Sequence, residues 1–204
     1  MFTSMNWQSI KLPGRRQAIR CLAFWLVLLL GGAALPFQIL EAQPAIAPEY
    51  SIKAGLLTAF TSYTEWPSNA FAGKDDPIII GVLGENPFGE VLAKTAAQQV
   101  GARTIQVRHL ASAEAADGCH LVFISAAEKS REENWLAVLK DKPIVTVGES
   151  GHTLERGGIL ELKTVAGRVR FDVSLPATQQ AGVKFTPQML ALANKVIMPQ
   201  TEAR

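Results

Sequence analysis

Three short apolar runs, separated by helical patterns, constrain the fold of this chain more than any other feature. They are PIIIGVLG (77–84), HLVFIS (120–125) and KPIVTVGES (142–150). A near-continuous run of β-branched and aromatic residues is typical of a strand that is covered on both faces. Strands that alternate with helices of about ten to fifteen residues need crossover connections, so the sheet is predicted to be mostly parallel.

The pattern changes after Gly151. Two alternating runs, GGILELKTV and GRVRFDVSL, are joined by an Ala-Gly turn, which indicates a β-hairpin. The run RTIQVRHL (103–110) also alternates, which predicts a strand with one more exposed face. We therefore predict an α/β fold: a three-layer, doubly wound domain with a mostly parallel sheet and an antiparallel hairpin at one edge.

Apolar spacing and end signals locate the helices. In the first helix a stripe of four residues is predicted to face the core, and Pro67 ends that helix near Thr64. The stripe consists of Ile52, Leu56, Phe60 and Tyr63. Asn86 and Pro87 begin a second helix, and Ser130 with Glu133 forms a capping box for a third. A C-terminal helix after Thr186 is predicted to turn Met189, Leu190, Ala193 and Ile197 inward.

The N-terminal 42 residues have the composition of an export signal. A basic segment precedes the apolar run CLAFWLVLLLGGAALPF (21–37), and small residues follow it. We place cleavage after Ala42, with Ala45 and Ala47 as alternatives. The apolar run has about the minimum length that spans a bilayer, so an uncleaved anchor is the other interpretation. The predicted organisation is a signal peptide (1–42) and a single domain (43–204), which places the mature protein in the periplasm.

Charge and cysteine content exclude two interpretations of the mature domain. Removal of residues 1–42 takes away four of the 20 Lys and Arg and one of the 18 Asp and Glu, which leaves 16 positive and 17 negative side chains. No dense basic patch remains, so nucleic-acid binding is excluded. Cys119 is then the only cysteine, so an intramolecular disulfide cannot form, and its strand-like neighbours predict that it is buried.

The predicted loops contain no convincing active site. The loop GENPFGE (84–90) lacks the Lys-Ser/Thr of a phosphate loop, and Ser125 has no nucleophile elbow. The best enzymatic candidate is His152 with Glu149 or Glu155, where a histidine between carboxylates is a candidate general base. The three histidines are far apart in sequence, so we expect neither a metal site nor a cofactor.

Six segments, in order, resemble the YfiR family of exported bacterial proteins. They are EYSIKAGLLTAFTSYTEWP, IIIGVLGENPFGEVL, CHLVFIS, PIVTVGES, GGILELKTVAGRVRFDVSL and AGVKFTPQMLALA, which together span 49–193. The resemblance implies a non-enzymatic periplasmic repressor that forms homodimers. It also implies binding to the periplasmic sensory domain of an inner-membrane diguanylate cyclase, or a related sensor such as a histidine kinase. That binding would lower cyclic di-GMP and biofilm formation.

The resemblance further implies release by an outer-membrane lipoprotein or by redox damage. The mature chain would have only Cys119, so an intramolecular redox switch is ruled out. Two surfaces are candidates for partner binding. Trp66 lies beyond the end of the first helix, where aromatic residues are harder to bury and often anchor interfaces. The hairpin edge is the second, because an open apolar edge is a docking place for another chain. Its residues are Leu154, Ile159, Leu160 and Leu162.

Two other functions remain as alternatives to a repressor. They are a small-molecule sensor with a ligand at the strand ends, and a small exported hydrolase.

Overall fold

The computed structural model describes residues 48–98 and 103–199. All of them belong to one compact unit, Pro44–Arg204. The predicted signal peptide (1–42) lies outside the described residues.

Five α-helices and nine strands make up the described part of the chain. The helices are α1 (Pro48–Ser62), α2 (Val91–Gln98), α3 (Glu132–Leu139), α4 (Leu175–Gln180) and α5 (Pro187–Leu192). The strands are β1 (Thr64–Glu65), β2 (Ile78–Leu83), β3 (Ile105–Leu110), β4 (Leu121–Ile124), β5 (Val145–Gly148), β6 (Leu160–Val165), β7 (Arg168–Ser174), β8 (Lys184–Phe185) and β9 (Lys195–Ile197). Single 3-10 turns cover Ser68–Ala70, Ala113–Ala116 and Ala126–Glu128.

Seven strands form the main sheet in the order β3-β2-β4-β5-β6-β7-β9. The β6–β7 hairpin is antiparallel, and the other neighbouring pairs are parallel. β1 and β8 form a separate antiparallel pair. Along the chain, β2 is followed first by β3 on one side and then by β4 on the other. The carboxyl ends of β2 and β4 therefore flank the switch point where α/β folds bind ligands.

The main sheet separates two hydrophobic cores. One core contains buried residues of α1 and α2 together with the inner faces of β2, β4, β5, β6 and β7. The second contains α3 and the 3-10 turn Ala113–Ala116 packed against Val122 and Ile124 of β4. Helices thus cover both faces of a mostly parallel sheet, which confirms the predicted three-layer α/β fold.

The buried face of α1 differs from the predicted stripe. Phe60 is buried and Leu56 is half-buried, but Ile52 and Tyr63 are 55% and 37% exposed. The buried face instead includes Lys53, which is only 4% exposed. Because its amino group binds a buried carboxylate, the helix is rotated so that the preceding residue, Ile52, faces solvent.

The predicted C-terminal helix ends early. α5 stops at Leu192, and Ala193 is extended with ψ of 140°. The Asn194 side chain donates to Asp172 Oδ1 at 2.8 Å, and its backbone N–H donates to Phe171 O at 2.8 Å. These two bonds draw the chain onto the sheet as β9. The prediction that Ile197 is a helical core residue is therefore wrong.

The predicted starts of the second and third helices also differ. α2 begins at Val91, because Asn86 Oδ1 accepts a hydrogen bond from the Phe88 backbone N–H and holds a turn before it. The capping box at Ser130 is absent, since α3 begins after Arg131 without a side-chain cap.

Candidate functional site

Three buried glutamates lie at the carboxyl ends of the central strands. They are Glu128, Glu132 and Glu149, whose side chains are 8%, 1% and 4% exposed. In an α/β sheet this end is where ligands bind, so these carboxylates mark the candidate site. Burial of a carboxylate costs free energy unless the group is paired and hydrogen-bonded. The partners of each glutamate therefore indicate its role.

Glu128 fills the crevice at the switch point. Its carboxylate accepts the Glu85 backbone N–H at 2.9 Å and is paired with Arg131. A Cβ atom at Gly84 would lie 2.2 Å from Glu128 Oε1, so only glycine permits this approach. The position that a ligand phosphate or carboxylate takes in many α/β proteins is thus occupied by a side chain of the protein itself.

Glu132 holds the loop that follows β5. It accepts hydrogen bonds from the hydroxyls of Ser150 and Thr153, at 2.5 and 2.6 Å, and from Arg156 at 2.6 Å. The arrangement ties residues 150–156 to the first turn of α3. Its role is therefore to fix the conformation of the loop, and the Ser150 hydroxyl is engaged in that task.

Glu149 connects the end of β5 to α1. It forms an ion pair with Lys53 and accepts hydrogen bonds from Tyr50 Oη and from the Ala126 backbone N–H, both at 3.0 Å. Lys53 also binds Glu49 at 2.6 Å, which lowers the pKa of that carboxyl. Burial and the Glu149 carboxylate together raise the pKa of Tyr50 to about 12.

His152, the candidate catalytic histidine, contacts one of its two predicted partners, Glu155. His152 Nδ1 lies 3.0 Å from Glu155 Oε2, and both side chains are exposed, at 48% and 77%. This contact lowers the pKa of Glu155. Glu149 has its own partners in Lys53 and Tyr50. The structure therefore brings His152 and Glu155 together on the surface and assigns Glu149 to a different network.

Both ring nitrogens of His120 are hydrogen-bonded to backbone groups of the fold. Its Nδ1 accepts the Ile79 backbone N–H at 3.1 Å, so Nε2 carries the proton that it donates to Ala70 O at 3.1 Å. Phe71 stacks on the ring at 4.3 Å between centroids. Burial lowers the pKa of His120, which favours the neutral form of the ring. Across residues 48–98 and 103–199, no group of three or more His, Cys, Asp or Glu side chains is arranged to hold a metal ion.

Cys119 is buried and unpaired, as its position predicts. Its Sγ lies 3.4 Å from an Arg108 nitrogen, but burial is the stronger effect and raises the pKa of the thiol. A cavity of about 340 Å³ beside it is lined in part by Asn69, Lys142 and Ile144.

Trp66 packs against Phe71 of its own loop and against His120. It makes edge contacts with Phe71 at 6.0 Å and with His120 at 5.8 Å between ring centroids, and it is half-buried. Its indole Nε1 is buried and has no hydrogen-bond partner among the residues that the structure describes. Partner binding by Trp66 stays a prediction.

The hairpin residues do not form an exposed edge. Ile159, Leu160 and Leu162 are 3%, 0% and 1% exposed and belong to the core beneath α1, whereas Leu154 is half-buried. The expectation of an open apolar edge at these three leucine and isoleucine positions is wrong, because β6 is an inner strand between β5 and β7. The alternation of apolar and polar residues in GGILELKTV predicts a strand, and β6 is that strand, but its apolar side chains pack in the core.

The sequence patterns did not identify a surface groove near the tip of the β6–β7 hairpin. It has a volume of about 590 Å³ and is lined by Val165, Ala166, Arg168, Arg170, Ala191, Leu192, Ala193 and Asn194. The available signal was the pair of arginines two positions apart in GRVRFDVSL, which places both on one face of the strand.

The family comparison covers most of the described domain. The sequence model of the family described as YfiR/HmsC-like matches residues 50–194, which is more than half of the chain. The chain belongs to the YfiR/HmsC-like family. YfiR/HmsC-like proteins are periplasmic and regulatory rather than catalytic, and act in cyclic di-GMP signalling. In the described ranges, this YfiR/HmsC-like protein has no helix of the length and apolarity needed to cross a bilayer.

Two solved structures are similar to this YfiR/HmsC-like chain at low sequence identity. The ABC domain in complex with L-Trp from Streptococcus pneumonia has a TM-score of 0.50 and 10% identity, over 71% of this chain and 60% of that one. A conserved domain protein from Vibrio cholerae O1 biovar eltor has a TM-score of 0.45 and 14% identity, over 58% and 54% of the two chains. The chain thus spans about 60% of the length of the Streptococcus protein, and that likeness shows the α/β fold alone.

Proposed function

We propose that this protein is a non-enzymatic periplasmic regulator that represses a membrane-bound diguanylate cyclase by binding its periplasmic domain. Repression lowers cyclic di-GMP and, with it, biofilm formation. The observation that carries the proposal is the YfiR/HmsC-like match over residues 50–194. A homodimer is the proposed active form, and an outer-membrane lipoprotein is the proposed antagonist.

The carboxyl end of the sheet supports a role in binding rather than catalysis. Glu128, Glu132 and Glu149 are each paired with a basic residue and hydrogen-bonded to a neighbouring loop or helix. These partners satisfy the carboxylates and fix the loops in one conformation. A rigid surface of this kind suits recognition of another protein, because little conformational entropy is lost on binding.

The experiment measures binding and cyclase output together. The purified protein is added to full-length diguanylate cyclases of the source organism in lipid nanodiscs, and binding and cyclic di-GMP synthesis are recorded. Saturable binding to one cyclase with a fall in its turnover is the expected result. The proposal fails if no cyclase binds, or if the bound cyclase works at its unrepressed rate.

The hydrolase alternative depends on His152. The His152→Ala variant is compared with His109→Ala, a second exposed histidine, for binding and repression of the cyclase. Because the exposed His152 side chain is hydrogen-bonded to the exposed Glu155, we expect repression to be unchanged. Hydrolysis of ester or amide reporter substrates that disappears with His152 alone would favour the enzyme.

The small-molecule sensor alternative has one supporting observation. Ser125 lies at the end of β4, and its hydroxyl is buried without a hydrogen-bond partner in the described part of the chain. A bound ligand would stabilise the fold by mass action. A thermal-shift screen of amino acids and small carboxylic acids tests this directly, with Ser125→Ala as the variant that should lose the shift.

A further inference from the structure

The outer edge of β7 is covered along only part of its length. β9 pairs with Asp172–Ser174, and the Asn194 N–H donates to Phe171 O where the chain joins the sheet. The first three residues, 168–170, pair with β6 on one side. Within the described residues no strand lies on their other side. An open strand edge presents unpaired backbone groups, so it is a template for another extended chain.

A groove runs beside this open edge. Its volume is about 590 Å³, and its walls are the hairpin tip and the end of α5. Leu192 and Val165, which line it, are 65% and 44% exposed. Two large apolar side chains in contact with solvent beside unpaired backbone provide the two elements of strand-addition recognition, backbone bonding and side-chain contact.

The charges of the groove are uncompensated. Arg168 and Arg170 are exposed, and neither forms an ion pair or a side-chain hydrogen bond with the described residues. Lys163, opposite Arg170 on β6, is instead paired with Asp172. The two guanidinium groups therefore stand free over the groove, in a geometry suited to bidentate binding of carboxylates.

We propose that the 168–170 edge binds an extended segment of the membrane partner, acidic and apolar in character, as an added strand. The segment's backbone pairs with β7, its carboxylates bind Arg168 and Arg170, and an apolar side chain covers Leu192. This proposal rests on the proposed function, because it names the surface through which repression occurs.

Charge selects this occupant over a second copy of the chain. In a two-fold symmetric pairing each copy presents the same patch to the other. Edge-to-edge pairing at 168–170 would then bring the arginines of both copies together, and like charges across an interface are strongly unfavourable. An acidic segment has the complementary charge.

The test uses the purified protein and the full-length cyclase in nanodiscs. Arg168→Glu/Arg170→Glu should weaken binding by at least about tenfold, and the wild-type affinity should fall as salt is raised. Leu192→Ala should also weaken binding. Lys74→Glu/Lys94→Glu, a charge reversal of two exposed lysines elsewhere, is the matched control and should bind like wild type. Circular dichroism verifies folding, and Arg168→Gln/Arg170→Gln replaces the Glu pair if that pair misfolds.

The outcomes separate the two proposals. If the wild-type protein binds no cyclase, the proposed function itself fails. If it binds and the arginine variants bind equally well, the function stands and this surface is wrong. Hydrogen exchange gives a second criterion: the amide of Val169, which points away from β6 in this register, should gain protection only when the cyclase is added. Protection in the free protein, particularly if lost on removal of residues 200–204 or on dilution, would mean that its own terminus or a second copy occupies the edge.

Discussion

Lys53 and Glu149 lie 96 residues apart in the chain and form an ion pair in which the two side chains are 5% and 4% exposed. The pair joins α1 to the residue that directly follows β5. Tyr50 and the Ala126 backbone N–H add hydrogen bonds to the same carboxylate. One buried contact thus fixes the helix, the end of β5 and the loop after β4 in a single arrangement.

Removal of Lys53 should destabilise the domain strongly. In Lys53→Met the buried Glu149 carboxylate loses its charged partner, and loss of one member of a buried pair costs about 3–5 kcal/mol. The free energy of unfolding, measured in urea, gives the effect. Lys94→Met, on the exposed face of α2, is the control and should change stability by less than about 0.5 kcal/mol.

The double variant Lys53→Met/Glu149→Gln separates the ion pair from simple packing. Because it leaves no unpaired buried charge, it should be less destabilised than the sum of the two single variants by about 1 kcal/mol or more. Additive effects would show that the two residues contribute independently and that the contact has little energetic weight.

Tyr50 should ionise only in strongly alkaline solution. Its folded pKa of about 12 lies above the ordinary tyrosine value of 10.0, because burial and Glu149 disfavour the phenolate. The contribution to stability is therefore complete below about pH 10 and is lost as the pH rises towards 12. Ultraviolet titration in a Tyr63→Phe background isolates Tyr50, since the chain has two tyrosines. Glu149→Gln should lower the observed pKa, and an unshifted titration near 10 would contradict the buried contact.

Much of the fold follows from local sequence patterns. The apolar runs that form β2, β4 and β5 are short and β-branched, and burial of a strand on both faces requires that composition. The Ala-Gly turn of the hairpin likewise has the positive φ angles that it requires, 48° at Ala166 and 73° at Gly167. These features depend on neighbours in sequence, so the sequence alone is sufficient to predict them.

The features that sequence patterns missed depend on distant partners. The rotation of α1 is set by Glu149, and the early end of α5 is set by the bond from Asn194 to Asp172. Neither partner is visible in the local periodicity. The site has the same limit: Glu128, Glu132 and Glu149 follow strands or begin a helix in sequence, but their burial results from loops that only the folded chain brings together.

Two alanine substitutions at glycines should have opposite effects. At Gly148 a Cβ atom would lie 2.2 Å from Thr153 Oγ1 and 2.5 Å from Glu132 Oε1, so Gly148→Ala should cost about 1–3 kcal/mol through overpacking. At Gly55, inside α1, a Cβ atom meets nothing within 4 Å, so Gly55→Ala should stabilise by about 0.5–1 kcal/mol. Thermal and urea unfolding measure both. An unchanged free energy of unfolding in Gly148→Ala would mean that the Thr153 and Glu132 side chains move aside at little energetic cost.

His120 should make the domain sensitive to mild acid. Burial lowers its pKa in the fold, and Arg103 acts in the same direction, while Asp76 and the Ala70 carbonyl oppose the shift. The unfolded chain therefore takes up a proton first, so stability falls as the pH drops from about 6.5 towards the lower folded value. His120→Gln should flatten this dependence of the unfolding free energy on pH, whereas the exposed His152→Gln should not. Equal profiles for wild type and His120→Gln would assign the acid sensitivity to other groups.

Leu160 and Leu192 provide a direct test of which apolar residues belong to the core. Leu160 is 0% exposed and lies in the core beneath α1, so Leu160→Ala should cost about 2–5 kcal/mol through lost burial and a residual cavity. Leu192 is 65% exposed at the groove, so Leu192→Ala should change stability by less than about 0.5 kcal/mol. Urea unfolding of the two variants distinguishes the roles. Leu160→Ala acts on the fold. Cyclase binding by that variant must therefore be measured without urea and at a temperature at which the variant is fully native. Equal stability of the two variants would contradict the burial of β6 and reopen the hairpin as an exposed edge.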